Sequence, residues 1–342
     1  MNIIKPHYDI YYIPDSSQHD SVLKYLEGIG RICYKSEDKI TIDSYLRYLN
    51  MLKENKHWAM LEHYVFVLDI PEWIYFDINH TLTNANLSWE YMEKSHYIRA
   101  SYYYTDEGKA RYILSSSATG LNYLNEYQDF NTSKGIKHVC EFMHDKYPEI
   151  INDPGMDHFD PDIRFIGRDE LQTLPVKERM LHEAYTVKFT VSRGFTHELV
   201  RHRPASYAQE STRYVNFSKE KYGSEIALIN PTYLEEDNDA LNIWTKSMLQ
   251  IESAYMDLIK LGHTPQEARS VLPNSTKTEI VMTARLGEWK HVFNMRADKP
   301  AHPEMKEIMY PLLNDTMKTH GECFKDIEWR IEEGIKDGWI HA

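Results

Sequence analysis

The sequence predicts a soluble fold that mixes helix and strand, and three observations carry that expectation. Two short runs, His63 to Ile70 (HYVFVLDI) and Tyr185 to Val191 (YTVKFTV), are rich in β-branched and aromatic residues, as buried strands are. Leu241, Trp244, Met248, Ile251, Tyr255 and Leu258 step by three and four, the spacing of one apolar helix face. Of the 342 residues, 42% are hydrophobic and 13% aromatic, too much buriable surface for a disordered chain. The length suits two domains or one large domain carrying an insertion.

Taken in order, the first sixty residues read as helical, with Asp43 as an N-cap and Tyr45, Leu49 and Leu52 giving an apolar face to a helix that ends near His57. The strand from His63 is stopped by Pro71. IRASYYY and ARYILSS, joined by TDEGK, predict a hairpin turned at Gly108. Between Tyr147 and Pro175, four prolines and few apolar repeats read as a long loop. The strand from Tyr185 leads into GFTHELVRHR, read as a helix closed by Pro204, because the residue before a proline is driven out of the α region. Gly262 ends the long helix, and Thr264, Pro265 and Glu267 form a capping box with proline at the first helical position. After Pro273, TEIVMT reads as a strand and LGEWKHVFNMR as a helix.

The charge balance is 39 − 52 = −13, so the surface as a whole repels nucleic acid and anionic membranes. No apolar stretch approaches the ~18 residues of a membrane span, and the first residues lack the apolar core of a signal peptide. With only Cys33, Cys140 and Cys323, the chain is expected to be cytoplasmic and free of disulfides. An anion site must then be local, and residues 193 to 213 supply one: Arg193, Arg201, Arg203 and Arg213 against only Glu198 and Glu210.

A row of arginines at a helix end can simply complement the helix dipole. Here it is followed by Ser206, Gln209, Ser211, Thr212, Arg213 and Tyr214 just past a helix breaker. Forked guanidinium donors, hydroxyls and amides together suit a phosphate and a uracil-like edge. His197 and His202 do not make a zinc pair: five residues apart, they are turned by about 140° on a helix, and no metal is expected. Neither Ser206 nor Ser211 has the G-x-S-x-G surroundings of a nucleophile. No cysteine lies in the basic segment, so no catalytic thiolate is expected.

The string Arg201-His202-Arg203, seven residues, Ser211, then Thr212-Arg213-Tyr214, resembles the signature of the flavin-dependent thymidylate synthases, the ThyX family. RICYKS (31–36), HWAMLEH (57–63), SRGFTHELVRHR (192–203), PQEARSVLP (265–273) and EWKHVFNMRAD (288–298) agree in the same order. The resemblance spans residues 25 to 70 and 186 to 300 of a single domain, 1 to 342, with an insertion at about 72 to 184.

It implies an α/β fold of α+β type, with a central, largely antiparallel sheet flanked by helices, in a homotetramer whose active sites lie between subunits. The implied reaction converts dUMP to dTMP with methylenetetrahydrofolate as one-carbon donor and FAD, reduced by NADPH, as reductant, releasing tetrahydrofolate. By position, dUMP would meet Glu198, Leu199, Val200, Arg201, Gln209, Glu210, Ser211, Thr212, Arg213, Arg269 and Arg296. Arg296 matches the family's residue that favours ionisation at the pyrimidine N3, work suited to a fixed cation beside a developing anion. FAD would meet His57, Ala59, Arg201, His202, Arg203, Gln209, Arg285, Leu286, Gly287 and His291. Many members carry asparagine at the position of Arg285, arginine at Gly287, and serine or threonine at Ala59. These departures leave open a second reading, a nucleotide- or RNA-binding protein that keeps the anion site without flavin chemistry.

Overall fold

The computed structural model describes residues 1–126, 133–212, 216–218 and 225–340, with Ser95 and His96 described only in their backbone. In chain order its elements are β1 (Asn2–Ile4), β2 (His7–Ile10), α1 (His19–Tyr34), α2 (Ser44–Glu54), a 3-10 stretch Trp58–His63, β3 (Val65–Ile70), α3 (Glu72–Asn84) and α4 (Trp89–His96). Next come β4 (Arg99–Tyr104), β5 (Ala110–Ser117), α5 (Ala118–Glu126), α6 (Lys134–Lys146), β6 (Arg164–Phe165), α7 (Arg168–Thr173), α8 (Val176–His182), β7 (Ala184–Ser192) and α9 (Arg193–Leu199). The remainder is β8 (Ser206–Gln209), β9 (Ala227–Ile229), α10 (Asn238–Lys260), α11 (Pro265–Ala268), β10 (Lys277–Arg285), α12 (Leu286–Arg296), α13 (Pro303–Phe324) and α14 (Trp329–Lys336).

The antiparallel sheet flanked by helices is borne out. Its order is β2-β7-β10-β8, with β10 paired to β7 from Lys277↔Ser192 to Arg285↔Ala184 and to β8 from Ile280↔Gln209 to Thr283↔Ser206. One face, with Val187, Phe189, Ile280 and Met282, packs on Trp289 and Phe293 of α12 and on Met305 and Met309 of α13. The other sets Ala208 and Val281 against Ile29 and Ile32 of α1. Burying side chains such as Phe189 and Phe293 completely contributes roughly 1.5–3 kcal/mol each.

A second four-stranded antiparallel sheet, β4-β5-β3-β6, draws every strand from residues 65 to 165. Phe66 and Leu68 face a core shared with α1, α2, α3 and α6, while Val67 and Ile113 meet Ile166, Leu171 and Leu174 on the opposite face. The expected hairpin is β4–β5, with Gly108 at φ +77° in its turn. A short parallel pair, β1–β9, ties the N-terminus to the segment ahead of α10.

Several local expectations are corrected. The first sixty residues are not helical throughout: residues 2–4 and 7–10 are strands whose side chains are mostly exposed, so they carry no alternation to read and are fixed by pairing with strands far along the chain. The second helix stops at Glu54, before Lys56 takes up φ +55°, and the Asp43 side chain makes no capping bond. GFTHELVRHR is helical only to Leu199. The 147–175 stretch is not a plain loop, since β6 and α7 lie within it. The capping box at Thr264 and Glu267 is present as expected.

Candidate functional site

The basic segment takes its shape from the end of β7. Ser192 caps α9 by accepting from the Phe195 N–H, while its own N–H and hydroxyl donate to buried Glu304. α9 then brings Glu198 opposite the last residue of α12. Arg296 donates from Nη1 to the Glu198 carboxylate, from Nη2 to the Glu198 carbonyl (3.2 Å) and from Nε to His202 Nε2 (3.0 Å). His202 Nε2 therefore accepts, and the ring is neutral. Burial, then the charges of Arg296 and His291, holds its pKa down at about 4. The His291 ring stands edge-on to it, with centroids 5.6 Å apart.

Beyond the turn, Tyr207 donates to the carbonyls of Leu199 and His202, 2.9 Å each, tying the Arg201–Arg203 loop to β8. Gln209 donates to Thr196 (3.0 Å) and Thr278 (3.3 Å). Glu210 is buried against Lys277 and the Glu279 N–H, both at 3.1 Å, so its carboxylate faces a structural charge network. The Ser211 N–H donates to the Cys33 carbonyl at 3.2 Å. Arg213 lies outside the described residues.

Next to this strand is a cleft of about 370 Å³ lined by Arg193, His197, Thr212, Arg269, Ser270 and Asn274. Arg269 donates to the Thr212 hydroxyl at 3.4 Å. Burial and then the Arg269 charge lower the Arg193 pKa, as expected of two cations facing one space. Among the described residues no carboxylate makes an ion pair with either. Arg193 is the residue that sequence reasoning counted in the basic run without assigning to a ligand.

The positions expected near a flavin divide into two groups. His57, Ala59, Arg201, Arg203 and His291 are exposed. The 3-10 stretch that follows His57 and carries Ala59 packs on β8, with Glu62 accepting from Ser206 at 3.2 Å. Arg285, Leu286 and Gly287 are instead taken up by packing. Arg285 turns inward to the Tyr97 carbonyl (2.7 Å) and to the carbonyl and hydroxyl of Ser115 (3.3 and 3.2 Å), and burial, then the charge of Arg99, lowers its pKa to about 9. Leu286 is fully buried. A Cβ on Gly287 would stand 3.0 Å from the Met180 carbonyl of α8, so a backbone approach fills that space.

All three cysteines are free thiols, and burial raises the Cys33 pKa to about 11, far from a ready thiolate. Among the described residues, no group of three or more His, Cys, Asp or Glu could hold a metal ion. None of their helices is long and apolar enough to cross a membrane.

Residues 177–320 match a family model described as thymidylate synthase complementing protein. A flavin-dependent thymidylate synthase of Pyrococcus furiosus is 36% identical over 127 residues, 37% of this chain and 51% of that protein. That of Mycolicibacterium vanbaalenii is 33% identical over 153 residues, covering 40% and 59%. The chain spans about half the length of the curated relatives it matches. Among solved structures, ThyX from Helicobacter pylori, crystallised with FAD and dUMP, is similar at 23% identity and a TM-score of 0.34, over 44% of this chain and 74% of that one. PolB of Streptomyces cacaoi, a UMP/dUMP methylase bound with 5-Br UMP, gives 20% and 0.35, over 41% and 73%. Over residues 177–320, the resemblance read from the sequence is thus borne out: this part of the chain is similar to the flavin-dependent thymidylate synthases.

Proposed function

We propose that the chain converts dUMP to dTMP, taking the carbon from methylenetetrahydrofolate and reducing equivalents from FAD recharged by NADPH. The observation that carries this reading is the arrangement around α9: a fixed guanidinium, Arg296, held by Glu198 and His202, and a cleft beside the same helix in which Arg193 and Arg269 face each other. The cleft suits the nucleotide phosphate, because forked donors and the Thr212 hydroxyl match its oxygens. Arg296 would stabilise charge developing at the pyrimidine N3, and a neutral His202 leaves that guanidinium the cation of the pair.

The exposed set, His57, Ala59, Arg201, Arg203 and His291, fits a flavin nucleotide, since guanidinium groups suit a pyrophosphate and imidazoles a polar ring edge. When bound, reduced flavin supplies the hydride. Arg285 and Leu286 are buried and the Met180 carbonyl occupies the space beside Gly287, so these three are left out of that set. The exposure of Arg201 and Arg203 on a single chain also suits a site completed by a neighbouring subunit, in the homotetramer that the resemblance implies.

Two measurements test the reading: flavin absorbance retained after gel filtration, and NADPH oxidation as dUMP is titrated. A yellow protein with dUMP-dependent oxidation is expected. The closed Arg285–Gly287 segment favours one rival, a nucleotide-binding protein without flavin chemistry. A preparation that binds dUMP yet stays colourless after incubation with FAD would select it.

A further inference from the structure

Among the exposed residues that fit a flavin nucleotide, Arg203 does not hang free. Its guanidinium lies over the Tyr207 ring, 5.4 Å from the centroid, at cation–π range. Its Nη1 donates to the Ala205 carbonyl at 3.5 Å. Glu62 adds a negative charge from the 3-10 stretch: burial raises its pKa, while the Ser206 bond and then the Arg203 charge work the other way. Glu62, Ala205 and Tyr207 all belong to the segments that carry the family resemblance. The fourth neighbour does not.

Tyr97 comes from the insertion at 72 to 184, where it closes α4 in the left-handed region (φ 57°, ψ 30°). Its N–H donates to the Glu93 carbonyl at 3.2 Å and its own carbonyl accepts from Arg285 at 2.7 Å, so its backbone is tied on both sides. The residue lines a small cleft of about 20 Å³ together with Glu62, Ser206 and Arg285. There its hydroxyl donates to the Ala205 carbonyl at 3.4 Å, the same oxygen that Arg203 uses. Burial, then the Glu62 charge, raises the Tyr97 pKa, and the charge and hydrogen bond of Arg203 act against that rise. The phenol therefore keeps its proton at neutral pH and stands beside the guanidinium as a neutral contact.

Given the flavin reading proposed above, we infer that Tyr97 is a positioning residue for Arg203, and that through it the insertion sets how tightly the chain holds the diphosphate of FAD. An exposed arginine that is free to swing loses rotamer freedom when it meets a phosphate, and holding it beforehand removes part of that loss. Tyr97 does this without touching the ligand. One residue thus has two effects at the same cleft: its main chain draws Arg285 inward, and its hydroxyl steadies Arg203 at the surface.

The test is a double-mutant cycle on the full chain, with FAD affinity read from the change in flavin fluorescence on titration. Tyr97→Phe keeps the ring and loses only the hydroxyl, and should raise the Kd for FAD about three- to tenfold with thermal stability unchanged. Arg203→Gln should raise it about tenfold or more. The double variant should match Arg203→Gln to within about twofold, because the hydroxyl acts only through that guanidinium. Tyr97→Gly adopts the left-handed backbone readily and still offers its carbonyl to Arg285, so it should show the same dependence on Arg203 should Tyr97→Phe not fold. An unchanged Kd in Tyr97→Phe, or losses that simply add in the double variant, as a merely structural role would give, would overturn the inference and leave the flavin reading standing. A wild-type chain that takes up no FAD would overturn both.

Discussion

The two ends of α12 each carry an arginine beside a histidine, and the two pairs have opposite fates. At the C-terminal end, Arg296 donates directly to His202 and Glu198 beside the basic loop. At the N-terminal end, Arg285 is buried, and Ser115 links it to His182, whose Nδ1 is 2.8 Å from the Ser115 hydroxyl. His182 also meets Ser101 at 2.8 Å and is fully buried. What separates the pairs is the company they keep. Tyr97 and Ser115, from the stretch between the two family-like segments, close over one end of the helix together with α8, and among the described residues nothing of that stretch covers the other. Residue type alone does not make a ligand-binding arginine; what packs against it decides.

The sharpest way to break this comparison is to exchange the properties of the two arginines. Arg296→Lys keeps the charge but loses the fork that spans Glu198 and His202. Losing an aligned donor of this kind typically costs about 10²-fold or more in turnover. We expect about that drop in dUMP-dependent NADPH oxidation, with thermal stability nearly unchanged. Arg285→Ala should do the reverse. It empties buried volume and strips donors from the Tyr97 carbonyl and Ser115, a loss of about 2–4 kcal/mol by urea unfolding, while flavin binding per folded molecule stays as it was. Arg285→Met should recover much of that stability, because burying this cation is itself unfavourable. Loss of flavin from a folded Arg285→Met protein would return Arg285 to the flavin site.

A smaller effect is expected at the second residue of the helix, Gly287. Alanine normally gains about 1 kcal/mol over glycine inside a helix. At Gly287 the added methyl would press on the Met180 carbonyl, a backbone atom that cannot swing aside. Gly287→Ala should therefore destabilise by about 1 kcal/mol instead of stabilising. A rise in Tm would mean that α8 yields easily and that the N-terminal end of α12 is not tightly closed.

These contrasts also mark how far the sequence could be read. Arg201, His202, Arg203 and Arg296 were legible because they sit in a long ordered motif, and β7 and β10 because buried strands select β-branched residues over many positions. β1 and β2 were not, since three or four mostly exposed residues have no pattern of their own. The second sheet was half legible: β3 and the β4–β5 hairpin carry local signals, but nothing local says that they join one sheet. The commitment of Arg285 was hidden for the same reason. Its partners, Tyr97 and Ser115, lie 188 and 170 residues away, and no spacing rule reaches that far.

The two histidines provide the finest comparison, through pH. Both have folded-state pKa values below the usual 6.5: His202 at about 4, from burial and then the Arg296 and His291 charges, and His182 well below its usual value, from burial and then the Arg285 and Arg99 charges. For a depressed histidine, the unfolded chain takes up the proton first. Its contribution to stability is therefore complete above pH 6.5 and is lost as pH falls toward the folded value. For His202, buried but next to the exposed Arg201 and Arg203, the loss between pH 7 and 5.5 should be about 1 kcal/mol or less. His202→Gln keeps an acceptor for Arg296 but cannot titrate, so the difference between urea unfolding free energies at the two pH values should shrink by that amount. The remaining acid sensitivity belongs in part to His182 and to His63, which burial lowers to about 3. An unchanged difference in His202→Gln would mean that His202 titrates alike in the folded and unfolded chains, and that Arg296 faces a ring able to take up a proton near neutral pH.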